Sequence, residues 1–280
     1  MNISIIGHVC IDNNISEHTT YTTAGSPAVF MSKIYKKFPK VLVNVIAPYG
    51  IDFLTYTKEI NIFPKKPTGD WTLIYENKSH GKGRSQKAFN REYTKPLPIE
   101  NKLKKIISKS DVIFLAPLIP DYSSQYVKNL LKTARSNCLK ILLPQGYYRS
   151  FDKENNVIQR NFIEAKSIIS LFDFIVVSEQ DHRNIKGLVQ RWSEKTHVIM
   201  TLGEKGSSCF YKNEFIHRSV EKVKLEDIID SVGSGDIFSA SFGYRYYLTR
   251  DITKSLEFAN NIARQCLFYP ANNLQFSLPD

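Results

Sequence analysis

Seven residues, Asp230-Ser231-Val232-Gly233-Ser234-Gly235-Asp236, stand directly before a helical pattern and carry the most chemistry in the chain. Two glycines around a serine let successive backbone N–H groups turn toward one point, and the helix N-terminus behind them adds partial positive charge there. Such a place binds an anion. Asp236 at its rim would repel a permanently bound phosphate and is better placed to take a proton from an attacking hydroxyl. An anion pocket beside a carboxylate base is what phosphoryl transfer to an alcohol requires. A capping turn accounts for the same residues, because Asp commonly caps a helix and Gly-Ser-Gly commonly makes a turn. The seven residues alone leave both readings open.

The elements that must position these groups alternate along the chain. Strand-like apolar runs occupy 3–6, 41–47, 112–115, 140–143, 174–177 and 197–202, and helical spacing occupies 27–38, 123–135, 159–171 and two stretches after the glycine loop. Alternation of this kind predicts a mostly parallel sheet covered on both faces. Runs 207–211 and 214–218 flank Lys212-Asn213 and predict a hairpin. A second glycine cluster, Thr201-Leu202-Gly203-Glu204-Lys205-Gly206, ends a buried-looking strand, which is where open α/β sheets bind ligands, although on these residues alone a simple tight turn is the better reading.

Two regions break the rhythm. Residues 13–23 are polar and threonine-rich, and 68–93 contain candidate strands at 71–76 and 88–93 joined by Gly81-Lys82-Gly83. Together they read as a small β lid formed from about 13–23 and 68–95, with an ordinary surface hairpin as the plainer reading. Lys78, Lys82, Arg84, Lys87, Arg91 and Lys95 concentrate there, and in a lid they would face incoming phosphates.

Composition narrows the class. The 280 residues, 42% hydrophobic, can bury a sizeable core and form either one large α/β domain or a domain with a small appendage. No apolar stretch is long enough to span a membrane, and the N-terminus reads as a strand rather than a signal peptide, so the cytoplasm is the expected location. Cys10, Cys138, Cys209 and Cys266 are scattered without a CxxC pair and read as core thiols, and no histidine spacing suggests a metal cage. The net charge of +11 comes from lysines spread along the whole chain, which fits a solvated surface better than a nucleic-acid partner. There is neither a G-x-x-x-x-G-K-[ST] P-loop nor a G-x-G-x-x-G after the first strand.

In this order the motifs resemble those of the ribokinase-like (PfkB) carbohydrate kinases, over nearly the whole chain. Asp230 to Asp236 is similar to the D-T-x-G-A-G-D signature, with serines in place of the threonine and the alanine. Thr201 to Gly206 matches the T-x-G-x-x-G nucleotide segment. Gly7-His8-Val9-Cys10-Ile11-Asp12 looks like the substrate motif G-x-x-x-x-D, and Ala24-Gly25-Ser26-Pro27-Ala28 like the first glycine motif. The resemblance implies a three-layer α/β sandwich with a small β lid, in a single domain over 1–280. It makes Asp236 the base, with the N–H groups of Gly233, Ser234 and Gly235 holding the transferred phosphoryl group. Asp12 and the backbone at Gly25 would bind the acceptor; Thr201, Gly203, Gly206 and Asn260 would line the ATP pocket. Mg2+ would bridge the phosphates.

The departures also carry information. Where the family has N-x-x-E, this chain reads Ser178-Glu179-Gln180-Asp181, which leaves Asp181 to act on the metal through water. The first glycine motif begins with Ala24, and Val29 replaces its usual Asn, which implies an acceptor other than ribose. Gln145 and Arg149, in Gln145-Gly146-Tyr147-Tyr148-Arg149, are similar to a Q-G-x-x-R run of the myo-inositol kinase-like branch and become candidate acceptor ligands. The expected partner is therefore a small sugar or polyol, with a homodimer formed through the lid. The alternatives are a nucleoside or sugar-phosphate acceptor, and a non-catalytic nucleotide or sugar sensor.

Overall fold

The computed structural model describes residues 1–16, 20–80, 83–270 and 273–278. Nine strands form one twisted sheet, in the order Glu214–Arg218, Ser207–Tyr211, His197–Thr201, Phe174–Ser178, Leu139–Leu142, Val112–Ala116, Asn2–Gly7, Leu42–Ile46 and Ile62–Phe63. All neighbours are parallel except Ser207–Tyr211, which pairs antiparallel with both His197–Thr201 and Glu214–Arg218. Period-two alternation splits the strands between two apolar layers. Ile3, Ile5, Phe114, Phe174 and Ile199 pack against the helices Pro27–Tyr35, Ser234–Thr249 and Ile252–Cys266. Ile6, Ile113, Leu115, Ile175 and Val198 pack against Asn101–Ile107, Ser124–Leu131 and Ile185–Ser193. Burial on both faces explains why these strands read as unbroken apolar runs. The result is the α/β sandwich expected from the sequence.

A separate four-stranded sheet, in the order Thr20–Gly25, Cys10–Ile15, Leu73–His80 and Gly83–Phe89, stands beside the carboxyl end of Asn2–Gly7. Two of its strands differ from the expected 71–76 and 88–93. Leu73–His80 runs on to His80, and Gly83–Phe89 ends at Phe89 because Asn90 turns into the left-handed region at φ 60° and starts a 3-10 turn at Arg91–Tyr93. The expected turn at Gly81-Lys82 lies outside the described residues.

The helix expected over 159–171 is also largely absent. Gln159 instead ends a short strand, Val157–Gln159, paired antiparallel with Arg149–Phe151, and only Ala165–Ile168 is α-helical. Helical spacing of apolar residues there reflects packing of Phe162, Ala165, Ile168 and Ile169 onto the sheet rather than a continuous helix. All four cysteines are free and buried. Among the described residues no helix is long and apolar enough to cross a membrane.

Candidate active site

The capping reading is tested at the first turn of helix Ser234–Thr249. No side chain caps this helix, and Gly233 at its N-cap position takes φ 76°, which few residues other than glycine adopt. Asp236 therefore is not a capping residue. The Ser234 amide, expected to face the anion, donates instead to the Ser231 carbonyl at 3.2 Å. Among the described residues the amides of Gly233, Gly235 and Asp236 have no protein acceptor, so these three are the donors left at the mouth of the helix. A Cβ added to Gly235 would meet nothing within 4 Å, which makes this the open side of the turn.

Asp236 is half-buried, and burial pushes its carboxyl up to about 7; the neighbouring carboxylates of Asp181 and Asp12 push the same way, and the Arg149 guanidinium opposes them. Three carboxylates and one guanidinium thus share one electrostatic environment, drawn from four elements far apart in sequence. Asp12 comes from strand Cys10–Ile15, where its Oδ1 accepts a weak hydrogen bond from Cys10 Sγ at 3.5 Å. Arg149 follows the 3-10 turn Pro144–Tyr148 and donates through Nη1 to the Tyr75 hydroxyl at 2.9 Å and to the Leu118 carbonyl at 3.1 Å. Its guanidinium lies 4.9 Å from the Tyr75 ring centroid. Asp181 closes a tight loop after Phe174–Ser178, with Oδ2 accepting from the Ser178 amide at 2.9 Å. Burial holds the Asp181 carboxyl above the usual range, while the Ser178 hydrogen bond and Arg149 pull it down.

The second glycine cluster lies where the sequence placed it, at the end of His197–Thr201. Thr201 Oγ1 donates to the Val177 carbonyl at 3.3 Å, and Gly203 and Gly206 both have positive φ. A Cβ on Gly206 would lie 2.1 Å from the Arg218 carbonyl oxygen. Buried Asn260 donates to that same oxygen at 2.9 Å. Its amide nitrogen, expected beside a nucleotide base, is therefore committed to backbone. Gln145 is exposed on its turn, and among the described residues no hydrogen bond or ion pair joins it to the carboxylate cluster.

The basic lid residues also differ from expectation. Lys78 pairs with Glu76 at 3.0 Å, while Arg91 donates to Asn155 at 2.8 Å and stacks 4.3 Å from the Phe151 ring centroid. Strand alternation places Lys78 and Lys87 on the face opposite Asp12, and the side chains of Lys82 and Arg84 lie outside the described residues.

Sequence reasoning missed Tyr75 and His8. Tyr75 positions Arg149, and nothing local distinguishes it from any other strand tyrosine. His8, inside the Gly7–Asp12 motif, accepts from the Leu118 amide at 2.9 Å and donates to the Thr94 carbonyl at 3.1 Å. Burial lowers its pKa to about 3, so it stays neutral and fastens the small sheet to the large one.

The sequence pattern of the pfkB family carbohydrate kinases matches residues 87–275. No curated protein matches the chain in sequence. Among solved structures, the ribokinase from Giardia lamblia superposes with a TM-score of 0.76 at 17% identity, covering 98% of this chain and 97% of its own. A pyrophosphate-dependent kinase of the ribokinase family, complexed with a pyrophosphate analog and myo-inositol, gives 0.74 at 15% identity over 96% of both chains. A nucleoside kinase from Methanocaldococcus jannaschii gives 0.70 at 17% identity, covering 98% and 94%. At these identities the likeness establishes the fold.

Proposed function

The chain belongs to the pfkB family of carbohydrate kinases, and on that premise we propose that it transfers the γ-phosphoryl group of ATP to a hydroxyl of a small sugar or polyol, with myo-inositol the leading candidate. The observation that carries this reading is the Asp236 carboxyl, held up to about 7 beside the free amides of an uncapped helix. A carboxylate with that affinity can take a proton from an alcohol as the bond to phosphorus forms, then release it near neutral pH. The amides of Gly233, Gly235 and Asp236 meet the charge that develops on the transferred group. Asp12 accepts hydrogen bonds from acceptor hydroxyls, and Arg149, fixed by Tyr75 and Leu118, offsets the negative charge of the cluster.

Magnesium fits this site as a phosphate-borne ion. No described group of three His, Cys, Asp or Glu side chains could hold a metal, and one Asp181 oxygen is already engaged by the Ser178 amide. Asp181 would hold the ion through water, and the ion would neutralise phosphate charge. The four-stranded sheet acts as a lid over the acceptor. Its exposed edge strand, Thr20–Gly25, is where a second copy would pair, and a monomer by light scattering would exclude that. The reaction is placed in the cytoplasm, where ATP is available.

A second donor reading has one observation behind it. Asn260 is committed to the Arg218 carbonyl, so a donor held by its phosphates alone also fits, and pyrophosphate is the donor of a kinase with similar fold. The test is ADP or phosphate release from Mg-ATP or pyrophosphate across sugars, polyols, nucleosides and sugar phosphates, with Asp236→Asn as background. Acceptor-dependent release that disappears in the variant supports phosphotransfer. Binding of ATP without release from any acceptor favours a sensor.

A further inference from the structure

A short hairpin ties the far edge of the lid to the main body. Arg149–Phe151 and Val157–Gln159 pair antiparallel, with Arg149 opposite Gln159 and Phe151 opposite Val157. Its base belongs to the main body: the Arg160 amide donates to the Tyr148 carbonyl at 2.6 Å, and the Gln159 side chain bridges the Asp181 carbonyl and the Arg183 amide at 3.4 Å each. Its turn is shaped by local bonds. Asp152 Oδ1 accepts from the amides of Glu154 at 3.0 Å and Asn156 at 2.8 Å, Oδ2 accepts from Asn156 Nδ2 at 2.8 Å, and Asn155 takes the left-handed region at φ 65°.

That turn is docked on the outer strand of the lid. Gly83–Phe89 lies at one edge of the four-stranded sheet, where backbone groups lack a strand partner on one side. The Ala88 amide donates to the Asn155 carbonyl at 3.0 Å, and Lys87 and Asn156 form an antiparallel bridge. Just past the strand, Arg91 donates to Asn155 Oδ1 at 2.8 Å and lays its guanidinium 4.3 Å from the Phe151 ring centroid. Phe151 and Val157 pack against the apolar cluster that Leu73 and Ala88 of the lid share with Leu118 and Ile119. Lifting this edge of the lid off the main body must therefore break the bonds that Ala88 and Arg91 make to Asn155.

We propose that the hairpin turn is a latch: Asn155, gripped by Arg91 and by the Ala88 amide, holds the lid down over the acceptor site, and the lid opens when that grip is released. Its role toward the acceptor rests on the reading of Asp12, a lid residue, as an acceptor ligand. Arg91 and Asn155 are positioning residues that act through the lid.

The experiment is hydrogen exchange of the full chain without ligand, read by mass spectrometry, for the wild type, Asn155→Gly, Arg91→Met and the double variant. Glycine takes the left-handed φ of Asn155 and keeps the carbonyl that Ala88 uses, so Asn155→Gly removes the side-chain grip alone. Exchange in Leu73–His80 and Gly83–Phe89 should rise about fivefold or more, while Val112–Ala116 of the large sheet stays within about twofold. Arg91→Met also loses the stacking on Phe151 and should do at least as much, and the double variant should add nothing to it. Unchanged exchange in the lid strands, an equal rise in Val112–Ala116, or single effects that add would overturn the latch. Calorimetric titrations with myo-inositol and with Mg-ATP test its role toward the acceptor. Asn155→Gly should weaken myo-inositol about fivefold and leave Mg-ATP within about twofold; a loss shared equally by Mg-ATP would overturn that role. A wild type that binds Mg-ATP and no myo-inositol would count against the acceptor reading alone, since exchange decides the latch without any ligand.

Discussion

A Cβ built on Gly25 would lie 1.8 Å from Oδ2 of Asp12, so the carboxylate occupies the space that any other residue at 25 would fill. The two sit on neighbouring antiparallel strands, with Gly25 opposite Cys10 and Asp12 opposite Thr23. A glycine is therefore needed at 25 because Asp12 leans over it.

Gly25→Ala should displace the Asp12 carboxylate while leaving the donor side intact. The expected outcome is an acceptor KM raised about tenfold or more and a donor KM within about twofold. Steady-state kinetics with each substrate varied in turn checks it. An equal rise in both constants would place Asp12 outside the acceptor site.

Asp236→Asn keeps the volume of the side chain and removes the base. Turnover should fall by roughly 10²-fold or more with the circular dichroism spectrum unchanged. Normal turnover in a folded variant would reassign the base.

Titration of the same carboxyl predicts two pH dependences. With its pKa up at about 7, kcat should fall tenfold per pH unit below neutrality and level off above it. The stability effect follows from the sign of the shift. The folded state holds this proton more tightly than the unfolded chain, whose value is near 3.8, so the stabilisation is complete below about 3.8 and lost as pH rises through about 7. Asp236→Asn does not titrate, so its Tm relative to wild type should climb between acid and neutral pH and then stay constant. Thermal melts of both proteins at several pH values would show it, and a constant difference would mean that Asp236 is not perturbed.

The two loop glycines should separate folding from chemistry. Gly233 has φ 76°, and a Cβ there would lie 2.7 Å from the Phe30 ring, so Gly233→Ala should lose about 1–3 kcal/mol of stability. Gly235→Ala meets no protein atom within 4 Å and should melt like wild type while losing turnover, because its methyl group would project into the proposed phosphoryl site. Melting curves and ADP release measured side by side distinguish them; full activity in Gly235→Ala would remove the anion from that turn.

Asn260 gives a test of donor recognition. Loss of its bond to the Arg218 carbonyl should cost about 1–2 kcal/mol of stability and, if the amide acts only by supporting the backbone beside Gly206, raise the KM for ATP and GTP by the same factor. A change in the ATP-to-GTP ratio would place Asn260 in contact with the base.

Much of this architecture was legible because the relevant signals are local. Apolar runs at 112–115 and 174–177 mark strands buried on both faces, and Lys212-Asn213 marks a hairpin, whatever surrounds them. The glycine loop at 233–235 was legible as a turn at a helix start, since glycine's backbone freedom is a local property, but that no side chain caps the helix was decided by the structure. The helix expected at 159–171 failed because apolar spacing records which residues are buried, and Gln159 was already claimed by pairing with Arg149 across a gap of ten residues.

The sequence by itself determined the backbone turns, the layering of the sheet and the residue types available for proton transfer. Only the tertiary structure decided which charges meet. Asp12, Arg149, Asp181 and Asp236 come from separate elements whose chain positions say nothing about their separation, and the shift of Asp236 to about 7 depends on burial and on all three of the others. Strand parity likewise turned Lys78 and Lys87 away from Asp12, and the side-chain Oδ1 of Asn155 in a distant hairpin captured Arg91. Local conformation is written in neighbouring residues, whereas electrostatic coupling falls with distance in space and ignores distance along the chain.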